Sequence, residues 1–235
     1  MKKMTRLFMI IAVMILSVSA FAQKPFAGNI TFENTAIGTD DPNFLSALSE
    51  QTQEYIVMGN NWRINANYGF DLIQIFNGNT KTLSIVLDLP GYGKYYVKKT
   101  AEELDKARAN TKMDYEYTNE TKSIAGYNCK KVVVKATDLE TDEESTVTLW
   151  VTEELGLGDE INYAQYPGLK GYPLSTEAKT EYDGTEITVI TTATKVTPNK
   201  KVKPTEFLLP SDAKDLKDAP EDLNELKKQL LEEDE

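Results

Sequence analysis

The chain has 235 residues, of which 27% are charged and 40% are hydrophobic, and its formal net charge is −11. It contains no histidine and a single cysteine, which excludes Ser-His-Asp and Cys-His catalysis and the zinc sites that rest on imidazole or clustered thiolate ligands. The acidic excess disfavours binding to nucleic acid and to anionic membrane surfaces, and the length suits one domain with a sizeable core.

The first 22 residues have the tripartite pattern of a secretory signal peptide. Three basic residues precede an apolar run over residues 7–18, and Ala-Phe-Ala at 20–22 is a small-x-small cleavage site. The alternative is a membrane anchor, but the run is shorter than the ~20 residues that a spanning helix needs. No cysteine lies near the cleavage site to carry a lipid. We predict cleavage after Ala22 and a periplasmic or secreted protein that is not integral to the membrane.

Beyond the signal, short strand patterns alternate with turn residues. Residues 26–32 predict a first strand, and Asp41 with Pro42 predicts the start of a short helix. Thr100 and Glu103 form a capping box, which predicts a second helix up to residue 109. We assign further strands to residues 55–58, 62–67, 70–76, 81–89, 94–98, 112–117, 128–136, 146–151, 173–182 and 185–196.

Two later stretches depart from this alternation. Residues 161–172 are rich in aromatic residues and glycine and predict a loop. Residues 218–221 predict the start of a charged helix with an apolar stripe, which either docks on the body or frays. The stripe consists of Leu223, Leu226, Leu230 and Leu231. The predicted organisation is a signal peptide at 1–22, an antiparallel β domain at 23–212 and an acidic helical tail at 213–235.

Residues 120–135 hold the only cysteine between an Ile-Ala-Gly-Tyr turn and a β-branched run. Because Cys129 has no second cysteine to pair with, an internal disulfide is impossible. We predict a buried, apolar role for its side chain, with a reactive thiol as the alternative.

At residues 121–131 the chain reads Thr-Lys-Ser-Ile-Ala-Gly-Tyr-Asn-Cys-Lys-Lys, which resembles a family of secreted Bacteroidota-type proteins of unknown function. That family is related to the GLPGLI proteins and shares an Ile-Ala-Gly-Tyr-x-Cys-Lys-Lys core. Gly28-x-Ile30, Gly-Asn-Asn-Trp-Arg at 59–63 and Phe-Leu-Leu-Pro-Ser at 207–211 also match.

The resemblance implies a mainly β fold like that of the outer-membrane lipoprotein carrier LolA. Such a fold is a single curved antiparallel sheet, or half-barrel, covered by short helices, and here it would be followed by a C-terminal helix. In better-known proteins of this form the hollow of the sheet carries lipoprotein acyl chains or other apolar ligands. The family offers no catalytic or ligand-binding motif to match onto this sequence, and fold alone does not fix function.

Eight aromatic side chains are candidates for the lining of an apolar ligand site, although the same residues would suit the packed face of an ordinary sheet. They are Tyr55, Trp62, Phe70, Phe76, Tyr95, Tyr96, Tyr127 and Trp150. A true ligand pocket would enclose roughly 300–1,000 Å³ and be largely apolar.

Carboxylates offer weaker alternatives. The acidic run at 138–144 contains enough oxygen ligands for calcium, but it lacks the glycine of an EF-hand loop and is typical of an exposed hairpin tip. A carboxylate pair could hydrolyse a glycoside without histidine, but the sequence nominates no pair. Asn29 and Asn119 begin N-glycosylation sequons, a pattern that is common by chance.

We predict a protein that is not an enzyme and holds no cofactor or metal. The favoured function is the binding or carriage of an apolar ligand, such as a lipid or a lipoprotein acyl chain. The alternative is a cell-envelope interaction or structural module that docks a protein partner through a sheet edge or the leucine stripe.

Overall fold

The computed structural model describes residues 25–51, 53–67 and 70–231, and within these ranges the strands form one twelve-stranded sheet. The strands are β1 (Ala27–Ile37), β2 (Gln53–Met58), β3 (Asn61–Asn67), β4 (Asp71–Asn77), β5 (Thr82–Leu89), β6 (Gly93–Lys99), β7 (Thr111–Ile124), β8 (Tyr127–Asp138), β9 (Glu144–Thr152), β10 (Tyr172–Tyr182), β11 (Thr185–Pro198) and β12 (Lys214–Asp215). The α-helices are α1 (Pro42–Glu50), α2 (Ala101–Ala107) and α3 (Asn224–Leu231). The predicted signal peptide lies outside the described residues.

Two runs of consecutive hairpins make up the sheet, and β1 joins them. The strand order is β12-β6-β5-β4-β3-β2-β1-β11-β10-β9-β8-β7. Neighbouring strands are antiparallel, except that the two-residue β12 lies parallel to β6. β1 pairs with β2 on one side and with β11 on the other. The predicted mainly β fold, a single curved antiparallel sheet with short helices and a C-terminal helix, is confirmed.

Helix starts form where the sequence predicts them. The Asp41 carboxylate accepts the backbone N–H groups of Asn43 at 2.9 Å and Phe44 at 3.4 Å, which satisfies two donors that the first turn of α1 leaves free. In α2, the Glu103 N–H donates to the Thr100 hydroxyl at 3.3 Å, while the Thr100 N–H donates to the Glu103 carboxylate at 2.6 Å. This reciprocal pair is the predicted capping box.

The β7–β8 hairpin turns at Ala125 and Gly126, as predicted, and both residues have positive φ, 48° and 87°. Two-residue turns of this kind match the twist of the flanking strands. β7 is longer than predicted, because it continues beyond Tyr117 through a register shift before Thr121. Residues 118–123 are polar and mostly exposed, so they carry no hydrophobic alternation that would mark a strand in the sequence, and only Ile124 at the end of the strand is buried.

A main core fills the curve of the sheet and includes residues from both runs of hairpins. Its buried members are Phe26, Ile30, Phe32, Val57, Trp62, Ile64, Ala66, Phe76, Ile124, Cys129, Leu155, Ile161, Tyr172, Leu174 and Ala193. A smaller cluster joins β8 and β9 to Leu169. These contacts between sequence-distant strands hold the curved shape, since each apolar side chain gains by leaving water.

The acidic tail packs on the body of the protein. Leu216 is fully buried and forms a third cluster, the tail cluster, with Tyr95, Val97 and Ala219. All four leucines of the predicted stripe lie against this cluster. The stripe therefore docks within the chain. Among the described residues, no helix combines the length and the apolar character that crossing a membrane requires.

Cys129 is buried with no measurable exposure, and burial raises the pKa of its thiol to about 11. Since the thiolate is the reactive form, this environment makes the side chain a packed apolar group. The predicted buried role is confirmed.

We expect Cys129 to react slowly with a disulfide reagent such as 5,5′-dithiobis(2-nitrobenzoate) at about pH 8, because little thiolate is present and the sulfur is covered. The release of the coloured thiolate measures the rate. The same protein unfolded in urea should react rapidly. Equal rates in the two states would contradict the buried position.

We expect Leu216→Ala to lower the free energy of unfolding by about 2–5 kcal/mol, because it leaves a cavity in the tail cluster. Leu208→Ala is the matched control: Leu208 is 61% exposed, so its truncation should change stability by no more than about 0.5 kcal/mol. Urea unfolding followed by fluorescence measures both. Equal effects would show that the tail contributes little to folding stability.

Candidate functional site

Residues 153–171, which connect β9 to β10, form a covering loop across the curve of the sheet. The Trp62 indole N–H donates to the Ile161 carbonyl oxygen at 3.0 Å, which fixes the loop to β3. On the other side, the Tyr115 hydroxyl donates to the Pro167 carbonyl oxygen at 3.1 Å, and the Lys170 N–H donates to the Tyr117 hydroxyl at 2.8 Å. The covering loop thus joins strands from the two runs of hairpins.

The side chain of Asn162 holds the covering loop in shape. It is 5% exposed, and its amide donates to the carbonyl oxygens of Leu169 at 3.1 Å and Gly171 at 2.8 Å. Buried carbonyl groups need such partners, because leaving one unpaired costs about 1–3 kcal/mol. Gly171 has a φ of 81°, and a Cβ there would lie 3.1 Å from the Thr152 carbonyl oxygen, so the loop rejoins β10 through a residue without a side chain.

A polar cluster, the Tyr163 latch, ties the covering loop to α2 and to the β4–β5 turn. The Tyr163 hydroxyl donates to the Asp105 carboxylate at 2.7 Å, and Arg108 donates to the Tyr163 carbonyl oxygen at 3.0 Å. The Lys81 ammonium and the Arg108 guanidinium lie 4.3 and 4.7 Å from the centre of the Tyr163 ring. The hydrogen bond from Tyr163 lowers the pKa of Asp105, whereas burial, followed by that bond, raises the pKa of Tyr163.

Between the sheet and the covering loop lies a hollow of about 420 Å³. Aromatic rings, hydroxyl groups and carboxamides line it, and none of the lining side chains is charged. The lining residues are Phe32, Gln53, Tyr55, Trp62, Ile161, Asn162, Gln165, Tyr166, Tyr172, Pro173, Thr176 and Thr191. The hollow falls in the size range of small-molecule sites, which is about 300–1,000 Å³.

Ring contacts hold the apolar wall of the hollow together. Phe32 and Tyr55 are in ring contact at 4.6 Å between centroids, and Trp62 stacks on the fully buried Phe76 at 5.5 Å. Aromatic pairs at these separations add to the stability of simple burial. A ligand in the hollow would therefore meet preformed surfaces.

The eight predicted lining residues are distributed over several sites. Tyr55 and Trp62 line the hollow, and Phe76 supports Trp62 from behind. Tyr127 and Trp150 are half-buried against the main core, and Tyr95 belongs to the tail cluster. Phe70 is 37% exposed, and Tyr96 lines a surface cleft beside the tail.

Strand geometry explains the separation of Tyr95 and Tyr96. Successive residues of a strand point to opposite faces, so these neighbours in β6 cannot both line one hollow. Trp150 is on β9 beside the fully buried Leu149, and its indole N–H donates to the Glu177 carboxylate at 2.9 Å. The indole N–H of Trp150 therefore already has a hydrogen-bond partner within the protein.

Other lining residues escaped sequence reasoning, chiefly Phe32, Tyr166, Tyr172 and Thr176. The aromatic content of residues 161–172 was the available signal, but a loop pattern does not show which surface the loop covers. Residues of β10 and β11 reach the hollow only because β11 pairs with β1 and β10 pairs with β11.

The acidic run at 138–144 forms the exposed β8–β9 turn. The Asp138 carboxylate accepts the N–H groups of Glu140 at 2.8 Å and Thr141 at 2.9 Å, and these bonds lower its pKa. In the part of the chain that the structure describes, no three acidic or thiol side chains converge on a point suited to a metal ion. Asp138 acts as a turn-forming residue here.

No protein-family model matches the chain, and no curated protein is significantly similar to it. Among solved structures, PNGF-II is similar in two crystal forms, with TM-scores of 0.51 and 0.52 and 17% sequence identity. The similarity covers 81% of this chain and 31% of PNGF-II, so the chain spans less than a third of that protein's length. A DUF1329 family protein from Desulfovibrio piger aligns over 80% of this chain and 91% of its own length, with a TM-score of 0.23 and 9% identity.

The similarity to PNGF-II establishes a shared fold and nothing about activity, because identity is low and fold does not determine function. The similarity covers 81% of this chain, which includes most of the single curved sheet described above. The relation to the GLPGLI proteins and the comparison with LolA stay predictions.

We expect Asp105→Asn to destabilise the protein by weakening the Tyr163 latch, with an effect that depends on pH. The folded-state pKa of Asp105 lies below its usual value of 3.8, so its stabilising contribution is present above that value and is lost as the pH falls through the folded-state pKa. Urea unfolding of both proteins between about pH 6 and pH 3 measures the difference, which should shrink towards acid.

Tyr163→Phe provides the control for this effect. In that background Asp105→Asn should cost less than in the natural protein, since the hydrogen bond between the two side chains is already absent. A cost independent of both pH and Tyr163 would contradict the latch.

Proposed function

We propose that this chain is a non-enzymatic binding protein that holds an uncharged ligand with an apolar face in the hollow. The observation that carries the proposal is a preformed space of about 420 Å³ with aromatic walls and no charged lining residue. Small-molecule sites typically combine apolar surfaces with a few polar groups that orient the ligand. A lipid or lipoprotein acyl chain, the ligand class that the family resemblance implies, would contact the Phe32, Tyr55 and Trp62 wall.

The composition of the hollow supports a role without catalysis. General acid–base chemistry needs a titratable group whose pKa lies near the working pH, and the hollow contains no carboxylate and no lysine. The burial and the high pKa of Cys129 make it a poor nucleophile. Tyrosine is the titratable residue of the lining, and burial raises the pKa of Tyr166 and Tyr172 further above neutrality.

A second candidate is the envelope interaction module. β7 has 14 residues and lies at the end of the sheet, with β8 as its neighbour in the described strand order. A free sheet edge can accept a strand from a partner protein. Because the leucine stripe packs on the tail cluster, β7 is the surface on which this alternative rests. Loss of a partner on charge reversal along β7, with unchanged ligand binding, would favour it.

We expect Thr176→Trp to fill part of the hollow and to weaken binding of a neutral apolar dye, Nile red, by roughly tenfold or more, a loss of at least 1.4 kcal/mol. Thr176 lies on β10 and lines the hollow. The fluorescence of the bound dye measures the affinity. Thermal unfolding confirms that the variant is folded.

Thr180→Trp is the matched control, since Thr180 is an exposed residue of the same strand outside the hollow. It should leave dye binding unchanged. Equal weakening by both substitutions would contradict a dye site in the hollow.

A further inference from the structure

Tyr172 places a hydroxyl group in the lining of the hollow. The residue is only 4% exposed, and burial, with a smaller contribution from Tyr55, raises its pKa well above the usual value. Its hydroxyl forms no hydrogen bond to another described residue. Among the described residues no fully buried side-chain nitrogen or oxygen lacks a partner, so the Tyr172 hydroxyl is accessible from the hollow, where a ligand can bond to it.

Three further lining side chains present hydrogen-bonding groups that other described residues do not use. These are the Tyr166 hydroxyl, the Thr176 hydroxyl and the Gln165 carboxamide. A hydroxyl both donates and accepts, and a carboxamide does the same through its two ends. In contrast, the Thr191 hydroxyl donates to Asn34 at 2.7 Å and the Trp62 indole is bonded to Ile161, so these groups serve the fold.

The lining therefore combines two kinds of surface. Flat rings form one wall, and the unused hydroxyl and carboxamide groups occupy other parts of the lining. An alkyl chain would leave those polar groups without partners, which lowers affinity. A carboxylate or an ammonium group would lose its hydration without meeting an opposite charge, which is more costly still.

We infer that the ligand of the hollow is a small neutral saccharide, or the neutral saccharide part of a larger molecule. A sugar ring has C–H faces that suit the rings of Phe32, Tyr55 and Trp62 and a rim of hydroxyls that suits Tyr172, Thr176 and Gln165. Its lack of charge matches the lining. This inference rests on the proposed function and specifies the chemical class of the ligand.

Isothermal titration of the protein with neutral mono- and disaccharides tests the inference, with Nile red as the purely apolar comparison. We expect saccharide binding that Tyr172→Phe weakens by roughly two- to tenfold, the effect of one neutral hydrogen bond. Nile red should bind the natural protein and the variant equally, because the substitution removes only a hydroxyl group.

Tyr182→Phe is the control for the loss of a tyrosine hydroxyl. Tyr182 is on the same strand, and its hydroxyl donates to Asp41 at 2.8 Å and does not reach the hollow. This variant should bind saccharide as the natural protein does, even if its stability falls.

The saccharide and Nile red titrations distinguish recognition of a saccharide from ligand binding in general. Binding of Nile red without any saccharide would overturn the saccharide assignment and leave the binding function in place. Saccharide binding that Tyr172→Phe does not change would overturn the recognition by Tyr172. Binding of neither probe would overturn both proposals.

Discussion

The short connection between β6 and β7 is the constraint on which the shape of the molecule depends. Ten inter-strand steps of about 4.8 Å separate these strands in the sheet, so a flat sheet would hold them about 48 Å apart. The connecting residues are 100–110, and seven of them form α2, which advances only about 1.5 Å per residue. Such a link reaches about 30 Å at most. The sheet must therefore curl to bring β6 and β7 towards each other.

The curl of the sheet creates the hollow, and the covering loop spans it. Because the loop forms hydrogen bonds to β3 on one side and to β7 on the other, it links the two runs of hairpins. The Tyr163 latch adds α2 to this arrangement. The β6–β7 connection, which requires the sheet to curl, is thus bonded to the covering loop. The same few contacts define both the fold and the shape of the candidate ligand site.

Local features of the fold were predictable from sequence because local chemistry produces them. Asp41 and Thr100 cap helices through bonds to residues two or three positions away, and the Ala125-Gly126 turn needs only its own backbone angles. The place of β1 between β2 and β11 was not predictable, since pairing such as Gly28 with Pro198 leaves no mark in a single sequence. The pairing of the two-residue β12 with β6 was not predictable for the same reason.

The candidate site was predictable only in part for the same reason. Aromatic residues are the chemical signal that the sequence offers for such a site, and two of the eight predicted residues, Tyr55 and Trp62, lie in the wall of the hollow. The signal does not say which face of a strand points inward once the sheet bends, so Tyr95 and Phe70 were indistinguishable from them. The polar members, such as Tyr172 and Thr176, come into the hollow through the curl and the covering loop, which are properties of the whole chain.

The position of β1 between the two runs of hairpins delays completion of the sheet during folding. The first strand can pair with β2 early, but its other edge stays open until residues 185–198 exist and have found it. Contacts between such distant residues slow folding, because the entropy of closing the intervening loop is lost before the contacts form. Partly made chains expose an apolar strand edge during this interval, the kind of surface from which aggregation starts. A chain with this topology depends on its last long strand, β11, to cover the free edge of its first.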